Sequence, residues 1–183
     1  MRKIILTSLL AACASVQASP QGTGDEMGHF MNERGLLSRI GSVGEKVEAS
    51  ATELVMNSMA FLGVPYKRGG NNADTGFDCS GFVRAIYEQT AGLLLPRRAE
   101  QQAAATQKID KTELKPGDLV FFNTMRRAFS HVGIYVGNGK FIHSPKPGAE
   151  VRVEDMGVSY WAKRFDGARR VSPEDTQQQA TAR

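Results

Sequence analysis

The sequence has little that would cross-link the chain or hold it in a membrane. It has two cysteines in 183 residues, Cys13 and Cys79, too few for a disulfide framework. No apolar run approaches the ~20 residues needed to span a bilayer. Neither sign of charge dominates, with 23 Lys and Arg against 19 Asp and Glu. The formal net charge is +4, and no basic stripe interleaves with aromatics, which excludes nucleic acid as the natural partner. There is no internal repeat, no C-x-x-C and no H-E-x-x-H. What remains is the composition of a soluble globular chain, 41% hydrophobic and 23% charged, long enough for one compact domain plus an extra segment.

Residues 1–18 read as an export signal: Arg2 and Lys3, the apolar stretch Ile4 to Ala12, then Val16-Gln17-Ala18 as a small-x-small cleavage site before Ser19. Losing Arg2 and Lys3 lowers the net charge from +4 to +2. A second reading stays open. Leu10-Ala11-Ala12-Cys13 has the form of a lipobox, which would make Cys13 a lipidated N-terminus. Either processing leaves Cys79 without a partner, and an unpaired thiol in an exported protein points to reactivity.

Residues 19–49 form a polar, glycine-interrupted tether with at most a weak helix. The folded domain is expected over 50–171. Ser50 and Glu53 make a capping box for a first helix with Leu54, Val55, Met59 and Leu62 on its apolar face. Asp78 opens a second helix that closes at Gly92, and a third runs over 98–107. Strands follow at 119–122, 131–136, 140–143, 151–153 and 168–171, with a basic loop at 123–130. Tyr160 and Trp161 are expected against the core, and 172–183 is a polar tail. Helices first and strands after indicate an α+β domain with an antiparallel sheet.

The chemistry rests on Cys79 and two histidines. Asp78 as N-cap puts Cys79 in the first helical turn, where unpaired N–H groups favour a thiolate and should lower the thiol pKa. His131 and His143 fall on paired strands. A three-residue loop, Gly137-Asn138-Gly139, pairs position 143 with 133 and sets the two histidines diagonally on one face, Cα atoms about 7–8 Å apart. One can take the thiol proton while the other fixes its ring, which suits acyl transfer through a thioester. The same three residues could bind zinc, but no ligand-spacing motif supports a metal, and no cofactor is expected. A non-enzymatic envelope-binding lipoprotein would have this constellation only by coincidence.

The residues Gly63-Val64-Pro65-Tyr66, Gly69-Gly70, Phe77-Asp78-Cys79-Ser80-Gly81-Phe82, Leu95-Pro96-Arg97, Pro116 to Phe122, His131 to Gly139 and Phe141-Ile142-His143 together resemble the NlpC-type family of bacterial cell-wall cysteine peptidases. The resemblance implies a reduced papain-like α+β fold. It makes Cys79 the nucleophile, His131 the base and His143 the ring-orienting residue, with Tyr66, Asp78 and Ser80 lining the substrate cleft. The implied substrate is the peptidoglycan stem peptide, cut after γ-D-glutamate and before a diamino acid. An amidase of the same mechanism is the alternative. The protein is expected in the periplasm or cell envelope, as a monomer. Arg68, where an aromatic is common, and Arg98-Ala99, where a small hydroxyl pair is frequent, depart from the family pattern beside the cleft.

Overall fold

The run Leu119-Val120-Phe121-Phe122 has no polar position, so a strand made from it must be covered on both faces. In the computed structural model, which describes residues 50–172, it lies inside a six-stranded sheet and all four residues are fully buried. The described chain begins in a helix through residue 59 (α1). A short hairpin follows, β1 (Asn71–Asn72) and β2 (Gly76–Phe77), then α2 (Cys79–Ala91) and α3 (Ala99–Ala104). The remaining elements are β3 (Gln107–Ile109), a 3-10 turn, β4 (Leu119–Phe122), β5 (His131–Gly137), β6 (Lys140–His143), β7 (Arg152–Asp155), the one-turn α4 (Ser159–Ala162) and β8 (Phe165–Arg170). The sheet order is β3-β8-β4-β5-β6-β7, antiparallel throughout, as the α+β expectation required.

Alternate residues of β4 serve different cores. Leu119 and Phe121 join the larger one with Phe82, Val83 and Ile86 of α2 and Val132 and Ile134 of β5. Val120 and Phe122 join a smaller aromatic cluster with Phe141, Met156 and Trp161. α2 forms where its sequence says it should. Asp78 accepts the Gly81 N–H at 2.7 Å, and Gly92 closes the helix in the left-handed region at φ 66°.

Several boundaries differ from the sequence expectations. Ser50 is already helical, so it is not an N-cap, and Leu62 is exposed in the turn after α1. The third helix stops at Ala104, and Gln107, expected as its end, opens a strand over 107–109. Pairing of Gln107, Lys108 and Ile109 with Arg170, Arg169 and Ala168 outweighs the local helical pattern, and the Thr106 hydroxyl donates to the Gln102 carbonyl at the helix end. β7 ends two residues later than expected and β8 begins three earlier. Trp161 is buried, whereas Tyr160 is about half exposed. The expected leader, Cys13, the expected tether and residues 173–183 lie outside the described residues.

Candidate active site

Cys79 is the first residue of α2, and the helix start is seated by contacts that leave no room for side chains. The Gly70 carbonyl accepts the Asp78 N–H at 3.1 Å, and a Cβ on Gly81 would lie 2.1 Å from that oxygen. Gly81 is therefore required by close approach. Asp78 also accepts the Gly69 N–H at 3.1 Å and is gripped by Arg97 at 2.6 and 3.0 Å. Ser80 Oγ lies 3.3 Å from Asp78 Oδ1 and accepts from Arg97 at 3.0 Å. Of the residues expected to bind substrate, Tyr66 lines the open cleft with Cys79. The polar atoms of Asp78 and Ser80 face Arg97. Tyr66 is held by its N–H to the Ala149 carbonyl at 2.8 Å and by a bridge to Phe77.

The histidines do lie together on one face, by a different route from the expected loop. Gly137 pairs with Lys140 across a two-residue Asn138-Gly139 turn, both at positive φ, 51° and 71°. That turn alone would set the strands one residue out of step and put the rings on opposite faces. A bulge between Tyr135 and Gly137, with Gly137 at φ 97°, absorbs the extra residue and restores Tyr135↔Phe141. Continuing that register places Gly133 opposite His143. A Cβ at Gly133 would lie 2.6 Å from the Phe141 ring and 3.2 Å from His143 Cβ. Its absence lets the two imidazoles meet, with His131 Nε2 and His143 Nδ1 2.6 Å apart. Tetrahedral zinc, with Zn–N bonds of about 2.0–2.1 Å, would hold two ligand nitrogens roughly 3.3 Å apart, so this contact is a hydrogen bond.

β7 extends the line by one residue that the sequence reading stopped short of. Glu154 pairs with Phe141 and shares the face of His143. Its Oε2 lies 3.5 Å from His143 Nε2 and accepts the Trp161 indole N–H. Its Oε1 accepts from Arg152 Nε at 2.6 Å. The signal was present: carrying the alternation of Val151-Arg152-Val153 one step further would have found it. Trp161 also stacks on His131, centroids 5.5 Å apart at 24°. The resulting cleft, about 710 Å³, takes Tyr66 and Cys79 on one side, and His131, Glu154 and Trp161 on the other.

The thiol is not the depressed one expected from its helix position. Burial pushes the Cys79 pKa up to about 11, and the neighbouring Asp78 charge adds to this. The N–H groups of Val132, Ser80 and Cys79 itself oppose the rise without overcoming it. Burial likewise holds His131 well below 6.5 and lowers His143, against the pull of Glu154. Glu154, facing the His143 imidazole and beside Arg152, falls to about 2. The resting pair at neutral pH is a thiol and an uncharged imidazole.

The model of the NlpC/P60 family matches residues 63–170. The murein DD-endopeptidase MepH of Escherichia coli is 45% identical over 125 residues, 66% of this chain and 46% of that protein. The gamma-DL-glutamyl hydrolase of Bacillus subtilis is 41% identical over 118 residues, 64% of this chain and 28% of its own length. The chain thus spans less than half of either relative. Among solved structures, the NlpC/p60 domain of the peptidoglycan hydrolase SagA superposes with a TM-score of 0.59 at 35% identity, covering 66% of this chain and 98% of that one.

Proposed function

The chain belongs to the NlpC/P60 family, and from that premise we propose that it is a cysteine endopeptidase that hydrolyses peptidoglycan stem peptides at the γ-D-glutamyl–diamino acid bond. The observation that carries the proposal is the contact of His131 Nε2 with His143 Nδ1 beside a cleft that also holds Cys79. With Nε2 committed, Nδ1 of His131 is the nitrogen left to act as base. It takes the Cys79 proton as the sulfur attacks the scissile carbonyl. In the first turn of α2 the Gly81 N–H is held by Asp78 Oδ1 and the Phe82 N–H by Asp78 O. Those of Cys79 and Ser80 face the sulfur and stabilise the oxyanion. His131 then returns the proton to the leaving amine, and water cleaves the thioester to the carboxylate. Tyr66 contacts the stem peptide directly. Asp78 and Ser80 contribute to substrate binding through the Arg97 they hold.

The protein acts outside the cytoplasm in this reading, where the substrate is, with its leader or a lipid on Cys13 supplying the location. Digestion of purified peptidoglycan by the full chain, read by fragment masses, is the test. Fragments ending in glutamate at the γ-carboxyl support the proposal. Separation of cross-linked stems with that bond intact would move the activity to the DD bond for which the Escherichia coli relative is named. Free glycan strands with whole stem peptides would instead indicate the amidase.

A further inference from the structure

We infer that Glu154 is a positioning residue of this site, fixing the proton arrangement of both histidines and the ring of Trp161 through a single carboxylate. The inference rests on the proposed chemistry of Cys79 and His131 and extends it by one residue.

A carboxylate at about 2 is ionised at any working pH and can only accept hydrogen bonds. His143 Nε2, fully buried and 3.5 Å from Glu154 Oε2, has no other partner, so its proton belongs on that side. His143 Nδ1 is then a lone pair and must accept from His131 Nε2 at 2.6 Å. The lone pair of His131 is thereby left on Nδ1. The same Glu154 oxygen accepts the Trp161 N–H, and Trp161 stacks on His131, so tautomer and ring plane are set from one point. Arg152 keeps the carboxylate in place from the same strand, at 2.6 Å and 2.5 Å. Other titratable groups face this line as well. Cys79 of α2 and Tyr66 lie across the cleft, Lys146 and Asp155 are at its rim, and none of them donates to Glu154.

Glu154→Gln tests this. Arg152 will claim the one remaining carbonyl oxygen and turn the amide NH2 toward His143, which favours the opposite tautomer there. The loss of charge makes His131 a weaker base. Nitrogen-15 spectra of the histidines in the full chain should show Nε2–H on both rings in the wild type, and a changed His143 tautomer in the variant. Alkylation of Cys79 by iodoacetamide should slow about tenfold at neutral pH, less than the roughly 10²–10⁴-fold of losing a positioned base, because Glu154 acts only through His131. The two chains should converge as pH approaches about 11, where the thiol ionises unaided. Glu154→Asp, which keeps the charge one methylene further away, should fall between, and it carries the test if the amide variant does not fold. Unchanged tautomers with an unchanged alkylation profile, or a wild-type His143 protonated on Nδ1, would overturn the inference. Neither readout needs a substrate. Normal spectra and alkylation in a chain that leaves peptidoglycan intact would count against the substrate, not against Glu154.

Discussion

The two walls of the cleft are built by opposite means. The Cys79 wall is polar beneath its surface: a capped helix start, the Asp78–Arg97 ion pair and backbone N–H groups aimed at the sulfur. The histidine wall is aromatic. His131 and His143 are sealed among Phe122, Phe141 and Trp161, and one carboxylate terminates the line. Burial makes the groups on both walls neutral at rest, the thiol by raising its pKa and the imidazoles by lowering theirs. Fixed donors thus shape the thiol wall, while exclusion of water shapes the histidine wall.

Removing the chemical group from either wall should have the largest effect. Cys79→Ala should abolish release of stem-peptide fragments while circular dichroism and Tm stay near wild type, since the small thiol sits only partly exposed at a helix start. On the other wall, His131→Ala should cost about 10²–10⁴-fold in kcat, the range for a positioned base. His143→Asn should retain more activity than His143→Ala, because the amide oxygen can still accept the His131 N–H. Equal loss in both His143 variants would show that the second ring does more than orient the first.

A smaller effect separates packing from chemistry. Gly133→Ala inserts a methyl group 2.6 Å from the Phe141 ring and 3.2 Å from His143 Cβ. It should cost about 1–3 kcal/mol of stability by overpacking. It should also lower kcat more than it raises KM, as steady-state kinetics would show. On the polar wall, Asp78→Ala removes a cap worth roughly 0.5–2 kcal/mol and leaves Arg97 without its ion-pair partner. Its Tm should fall by several degrees, a measurable drop for a domain of this size.

The smallest effect is a pH dependence confined to the aromatic wall. His131 and His143 have pKa values below 6.5 in the fold, so below that pH the unfolded chain binds protons that the folded chain refuses. Stability is then present above 6.5 and falls as pH drops beneath it. Glu154, lowered from 4.5 to about 2, adds a second loss between those values. A Tm series in low-salt buffers should show the first decline starting near 6.5, and His143→Asn should reduce it. A flat profile from pH 7 to 5 would mean that the rings are more hydrated than their burial indicates.

What was legible in the sequence follows the same division. The capped helix could be read from Asp78 to Gly92 because each signal is local: cap, apolar spacing, closing glycine. The strands around His131 and His143 could be read because they are short apolar runs between turn residues. Their facing relation could be derived too, though the loop was misjudged. One bulge and one two-residue turn give the same parity as a three-residue loop, and sequence does not separate them. The thiol's raised pKa was illegible. Helix position and the adjacent Asp78 charge are local, but the burial that raises the pKa most belongs to the assembled cleft. The strand at 107–109 was missed for the same reason, since it exists only by pairing with β8, some 60 residues away in sequence.

The protonated state of Cys79 has a consequence for the enzyme's durability. Peroxide and disulfide exchange attack thiolates, and Cys79 is the free cysteine among the described residues. A thiol held near pKa 11 presents little thiolate at neutral pH. Sulfenic acid formation and capture by small disulfides should therefore be slow while the cleft is empty. In the proposed mechanism, the proton that delays attack on a substrate would also preserve the sulfur between encounters.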